Sequence, residues 1–62
     1  MPVPLVCEQT GLTVEQLRSL HDAGLVTGAL TDAQGELTSW FEDCVPERSQ
    51  VATLLERLQT GP

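Results

Sequence analysis

The amino-acid sequence predicts a single small domain, mostly α-helical with one β-hairpin, in the order helix, helix, hairpin, helix. Three observations carry this. A segment between Gly11 and Gly24 has start and stop signals for a helix at both ends. Two β-capable runs flank Asp-Ala-Gln-Gly at residues 32–35. Residues 46–59 open on a proline and carry an amphipathic stripe. With 62 residues, the whole of 1–62 makes one domain. A core this small leaves the fold dependent on every apolar contact or on a partner.

The first helix is expected over residues 4–10, with Pro4 in the first turn, where a missing N–H costs nothing. Leu5 and Val6 are expected to face inward, with Cys7 a small core residue. Gly11 can take the left-handed conformation that ends a helix. Thr13 then caps the second helix, and Gln16 three residues on completes a capping box. Leu12 and Leu17 flank that cap as a hydrophobic staple, and Glu15 suits the positive end of the helix dipole. Leu17 and Leu20 share a face. Gly24 occupies the C-cap glycine position, with Leu25 folding back on Leu20.

The hairpin is expected to have strands near 26–31 and 36–41, joined by a type I turn with Gly35 where φ is positive. Trp40 and Phe41 are adjacent and are the only aromatic residues. On a strand they point to opposite faces, so one anchors the hairpin to the helices and the other is half exposed. Glu42 and Asp43 fall in a turn or a short helical turn before Pro46. Pro46 is read as the first residue of the last helix, 46–59, followed by Glu47, and Gly61-Pro62 as its end. Val51, Leu54, Leu55 and Leu58 form its apolar stripe. That stripe packs on the core, and it is also where a homodimer seam would lie.

Nine acidic residues stand against three arginines and no lysine, a net charge of −6. Nucleic-acid affinity comes largely from basic side chains that neutralise phosphates, which Arg18, Arg48 and Arg57 supply poorly. An acidic surface steers instead toward basic partners. No long apolar run predicts a membrane span, and the N-terminal stretch lacks the basic and apolar regions of a signal peptide. A cytoplasmic setting with Cys7 and Cys44 as reduced thiols is therefore expected. His21 is the one histidine and there is no Cys-x-x-Cys, so neither a metal nor any other cofactor is expected. No nucleophile is paired with a base and no glycine loop cradles phosphate, so the chain is not expected to be an enzyme.

Two short helices joined by a tight turn and followed by a wing make a winged helix-turn-helix. The stretch CEQTGLTVEQLRSLHDAGLV, residues 7–26, resembles the N-terminal module of MerR-type proteins. The resemblance implies a second helix that enters the DNA major groove. DNA-binding members follow the arginine of that helix with aromatic residues and carry further basic residues there and in the wing. Here Arg18 is followed by Ser19, Leu20, His21 and Asp22, and the wing contains Asp32 and Glu36 but no basic residue. Gln16, Arg18 and Ser19 are the residues that would touch bases if DNA were bound.

The chain is also similar to CbpM-type chaperone modulators, over the same stretch and in Trp-Phe-Glu-Asp at 40–43. CbpM-type proteins look like MerR modules that no longer read DNA, and they bind and inhibit the J-domain of a DnaJ-like co-chaperone. They continue into a longer helical tail that this sequence does not show, so their mode of dimerisation is not carried over. This resemblance implies an acidic protein-binding regulator, with a basic J-domain co-chaperone as the named partner. The expected partner-binding residues are Trp40, Phe41, Glu42, Asp43, Asp32 and Glu36, with Glu47 nearby. The alternatives are a small DNA-binding regulator of excisionase or MerR type, or an acidic antirepressor that mimics DNA and binds another transcription regulator.

Overall fold

The computed structural model describes residues 1–60, so the expected end of the last helix at Gly61-Pro62 lies outside the described residues. The elements are α1 (Val3–Thr10), α2 (Val14–Asp22), β1 (Ala29–Thr31), β2 (Leu37–Trp40), a 3-10 turn (Glu42–Cys44) and α3 (Arg48–Gln59). Three helices thus accompany a two-stranded antiparallel hairpin, whose strand β2 packs on α1. Among the described residues no helix is long and apolar enough to cross a membrane.

The segment from Leu12 to Leu25 follows its local signals closely. Gln16 N–H donates to Thr13 Oγ1 at 3.1 Å, and Thr13 N–H donates to Gln16 Oε1 at 2.9 Å. Both halves of the capping box are therefore made. At the other end Leu25 N–H donates to the Leu20 carbonyl and Gly24 N–H to that of His21, each at 3.0 Å. This is a Schellman motif, and Gly24 meets its requirement for a left-handed residue with φ 73°.

Helix α1 departs from expectation in its inward face. It begins at Val3 after Pro2, and the residues it buries are Val3, Val6 and Thr10. Leu5, expected inside, is 47% exposed. The buried line of α1 runs through Val3, Val6 and Thr10, and Leu5, about 100° round the helix from Val6, falls outside it. Thr10 is buried because its hydroxyl is fully used. Its Oγ1 donates to the Val6 carbonyl at 2.7 Å and accepts from Leu12 N–H at 3.3 Å. Thr10→Val keeps the shape but orphans the buried Leu12 N–H. The expected loss is about 1–3 kcal/mol, read as a lowered urea midpoint at unchanged slope.

The hairpin is shorter than expected. Its turn is as read: Gly35 N–H donates to the Asp32 carbonyl at 3.0 Å, and Gly35 has φ 80°. The register shifts between Leu30, which pairs with Ser39, and Thr31, which pairs with Leu37, so Thr38 is the extra residue of a bulge. At the other end Gly28 adopts φ 85°, so β1 cannot start at Val26. Strand β2 is the central one. Beyond β1 it pairs on its other side with the N-terminal segment, through a Pro2–Ser39 bridge and a 2.7 Å bond from Trp40 N–H to the Met1 carbonyl.

Helix α3 begins at Arg48, so Pro46 precedes it and is not its first residue. Glu47 is the N-cap, in extended geometry, and its N–H donates to Gln50 Oε1 at 3.1 Å. Its side chains tie the helix to the rest of the chain. Arg48 Nε donates to the Gln9 carbonyl at 2.9 Å and Nη2 to that of Glu8 at 3.4 Å. The cation thereby caps the C-terminal end of α1, where the helix dipole favours positive charge. Val51, Leu54, Leu55 and Leu58 pack against the core, but each stays partly exposed. The fully enclosed core consists of Val3, Val6, Leu12, Leu17, Leu20 and Trp40.

Candidate functional site

The α2 face expected to touch bases is largely committed to internal contacts. Gln16 serves the capping box through both its backbone and its side chain. Arg18 Nη1 lies 3.2 Å from Glu36 Oε2, and its Nε 3.7 Å from Asp22 Oδ2. All three side chains are substantially exposed, so these pairs add at most about 1 kcal/mol of stability. Their effect is electrostatic. Arg18 stands between two carboxylates, and this patch carries net negative charge. Ser19 remains on the surface. Glu36 lies 18 positions from Arg18, so no local pattern in the sequence announces that pair.

The expected partner-binding residues separate into two groups. Asp32 and Glu36 sit at the hairpin turn. Asp32 Oδ1 accepts from Gln34 N–H and Glu36 N–H, both at 2.9 Å, so its carboxylate holds the turn. Glu36 holds Arg18. Four residues after Glu36, at the far end of β2, which is about 13 Å long by its rise per residue, comes Trp40, followed by Phe41 to Asp43.

Within that second group the two aromatics part company. Trp40 is 1% exposed, and its Nε1 donates to the Thr27 carbonyl at 2.8 Å. It is therefore a core residue and offers no surface to a partner, which corrects its inclusion among the contact residues. Phe41 is 59% exposed. Its N–H donates to the Gly28 carbonyl and its own carbonyl accepts from Cys44 N–H, both at 2.9 Å. The Phe41 backbone is thus held on both sides while the ring stands in solvent. Glu42 and Asp43 follow in the 3-10 turn, both exposed.

A shallow cleft beside this turn is lined by Met1, Gln9, Glu42, Val45, Pro46, Glu47 and Arg48. Glu42 and Glu47 both contribute to its wall, and the Arg48 guanidinium is directed to the α1 carbonyls. Met1 and Gln9 reach this cleft only through the tertiary fold, and nothing in their local sequence marks them. The exposed face around residues 41–47 is therefore one ring with at least three carboxylates close by. Such a patch can bind cations and basic side chains, and the exposed Phe41 ring precedes it in the chain.

Among the described residues no group of three or more His, Cys, Asp or Glu is placed to hold a metal ion. Cys7 is half-buried, Cys44 is exposed, and both are free thiols. No family model matches the chain, and no curated protein or solved structure matches it either.

Proposed function

We propose that this protein is a non-enzymatic, protein-binding regulator on a MerR-like winged helix-turn-helix scaffold, and that it docks a basic partner on Phe41, Glu42 and Asp43. The observation that carries this is the exposed Phe41 ring, on a backbone hydrogen-bonded on both sides and followed directly by two exposed carboxylates. An aromatic anchor ringed by charge is the composition of an interface hot spot. The carboxylates would speed encounter with a basic surface and fix its orientation. The pairing of Arg18 with Glu36 and Asp22 supports the same direction, because two carboxylates offset the one arginine that α2 could offer to phosphates. In the hairpin, Asp32 and Glu36 add only negative charge. The order helix, helix, hairpin, helix fits the MerR-like scaffold. A J-domain co-chaperone is the candidate partner, since it joins a basic helix to a known modulator class with the same aromatic-acidic segment.

Titration calorimetry against a purified DnaJ-like J-domain tests the proposal. Binding is expected, and it should weaken as salt is raised. The double variant Glu42→Lys with Asp43→Lys should lower affinity at least tenfold, by removing two attractive charges and adding two repulsive ones. Unchanged affinity in that variant would remove the acidic turn as the docking surface. Salt-resistant, operator-specific binding of DNA by the wild-type chain would overturn the protein-binding reading.

A further inference from the structure

A second surface has the opposite chemistry. A groove of about 340 Å³ runs between the segment after α2 and the side of α3. Leu25, Val26 and Leu54 give it apolar walls, Gln50 and Thr53 give it polar groups, and Arg57 stands along it. The charge of the chain is unevenly divided. Residues 1–47 hold eight acids and Arg18 alone, a balance of −7, whereas α3 holds Arg48, Arg57 and Glu56, a balance of +1. Arg18 is paired with two acids and Arg48 is bound to the α1 carbonyls. Arg57 alone of the three makes no ion pair or side-chain hydrogen bond among the described residues.

From this placement we infer that the α3 groove is a docking site for an acidic amphipathic segment of a protein partner. An apolar side chain would rest between Leu25, Val26 and Leu54, and a carboxylate would meet Arg57. A segment fits this site better than a second copy of the chain. A net charge of −6 on each copy opposes self-association. Pro46 borders both this groove and the cleft beside the acidic turn, but Phe41, Glu42 and Asp43 do not line the groove, so this inference does not depend on the reading of those three residues.

The test is a titration of the ¹⁵N-labelled chain with three blocked peptides, followed by amide shifts. One is an amphipathic helix of leucine, alanine and glutamate. The second has glutamine in place of glutamate, and the third has lysine. The glutamate peptide is expected to shift the amides of Leu25, Val26, Gln50 and Thr53, despite the net charge of −6. It should bind about threefold more tightly than the glutamine peptide, the scale of an exposed ion pair. Arg57→Gln, at an exposed residue, should remove that preference and leave the glutamine peptide unaffected. The lysine peptide should leave the groove amides unmoved. The inference is overturned if the lysine peptide shifts these amides as much, or if Arg57→Gln changes nothing. It is also overturned if the same amides shift with protein concentration alone, because a second copy would then be the occupant.

Discussion

Trp40→Ala is expected to leave a chain that is largely unfolded at 37 °C. Trp40 is the largest side chain in the enclosed core, and it is the one core residue supplied by the hairpin. Its ring packs with Val3, Val6, Leu12, Leu17 and Leu20, and its Nε1 satisfies the Thr27 carbonyl. Truncating a buried tryptophan costs about 3–5 kcal/mol, the lost transfer energy plus the cavity left behind. A domain of this length has a total stability of roughly 3–9 kcal/mol at typical values per residue. One substitution can therefore take most of it. Circular dichroism against urea measures this directly, since the only tryptophan is the residue removed. Phe41→Ala, one position along, should stay within about 0.5 kcal/mol of wild type, because its ring is mostly in water. Equal losses at the two positions would contradict the division of the aromatics between core and surface.

The second large effect is expected at Gly28. Two separate constraints meet there. Its φ of 85° is a conformation that L side chains rarely adopt, at a cost of about 1–2 kcal/mol. A Cβ added to it would also collide with Cys44 Cβ and lie 2.9 Å from Cys44 Sγ. Relieving that overlap means moving the 3-10 turn, at about 1–3 kcal/mol for an overpacked contact. Gly28→Ala should then lose about 2–5 kcal/mol in total, a shift of roughly 8–40 °C in melting temperature. The two constraints can be separated by a double-mutant cycle with Cys44→Gly. In that background Gly28→Ala should cost only the backbone part. Gly24→Ala offers a natural comparison: its φ is 73°, but no atom lies within 4 Å of the added carbon. A Gly28→Ala loss no larger than that at Gly24 would show that the Cys44 contact has no weight.

What could be read in advance follows how local each determinant is. Everything that specifies α2 lies within residues 12–25, and cap, staple and stop were all legible there. The turn at 32–35 was legible for the same reason. Pro46 suggests too early a start for α3; the better signal is Glu47 and Gln50, which have the spacing of a capping box. In α1 the inward line Val3, Val6, Thr10 was hidden by its threonine, which looks polar until its hydroxyl is seen bonded back to Val6. The candidate site was legible as composition and not as arrangement. Six residues were grouped by charge and aromaticity, yet one is buried and two are bound within the hairpin and to Arg18. Those assignments depend on contacts such as Arg18 with Glu36 and Arg48 with Gln9, which join residues far apart in the chain.

Helix α3 has no fully buried residue, whereas α1 and α2 have three and two. Arg48 and the half-covered leucine stripe hold it in place. In hydrogen exchange this makes the molecule two-tiered. The amides of α2 and of β2, bracketed on both sides, are expected to exchange only when the whole chain unfolds. Those of α3 exchange through a cheaper excursion in which the helix lifts and frays while the rest persists. A partner seated along α3 would therefore act as a clamp on that excursion, slowing exchange there far more than elsewhere.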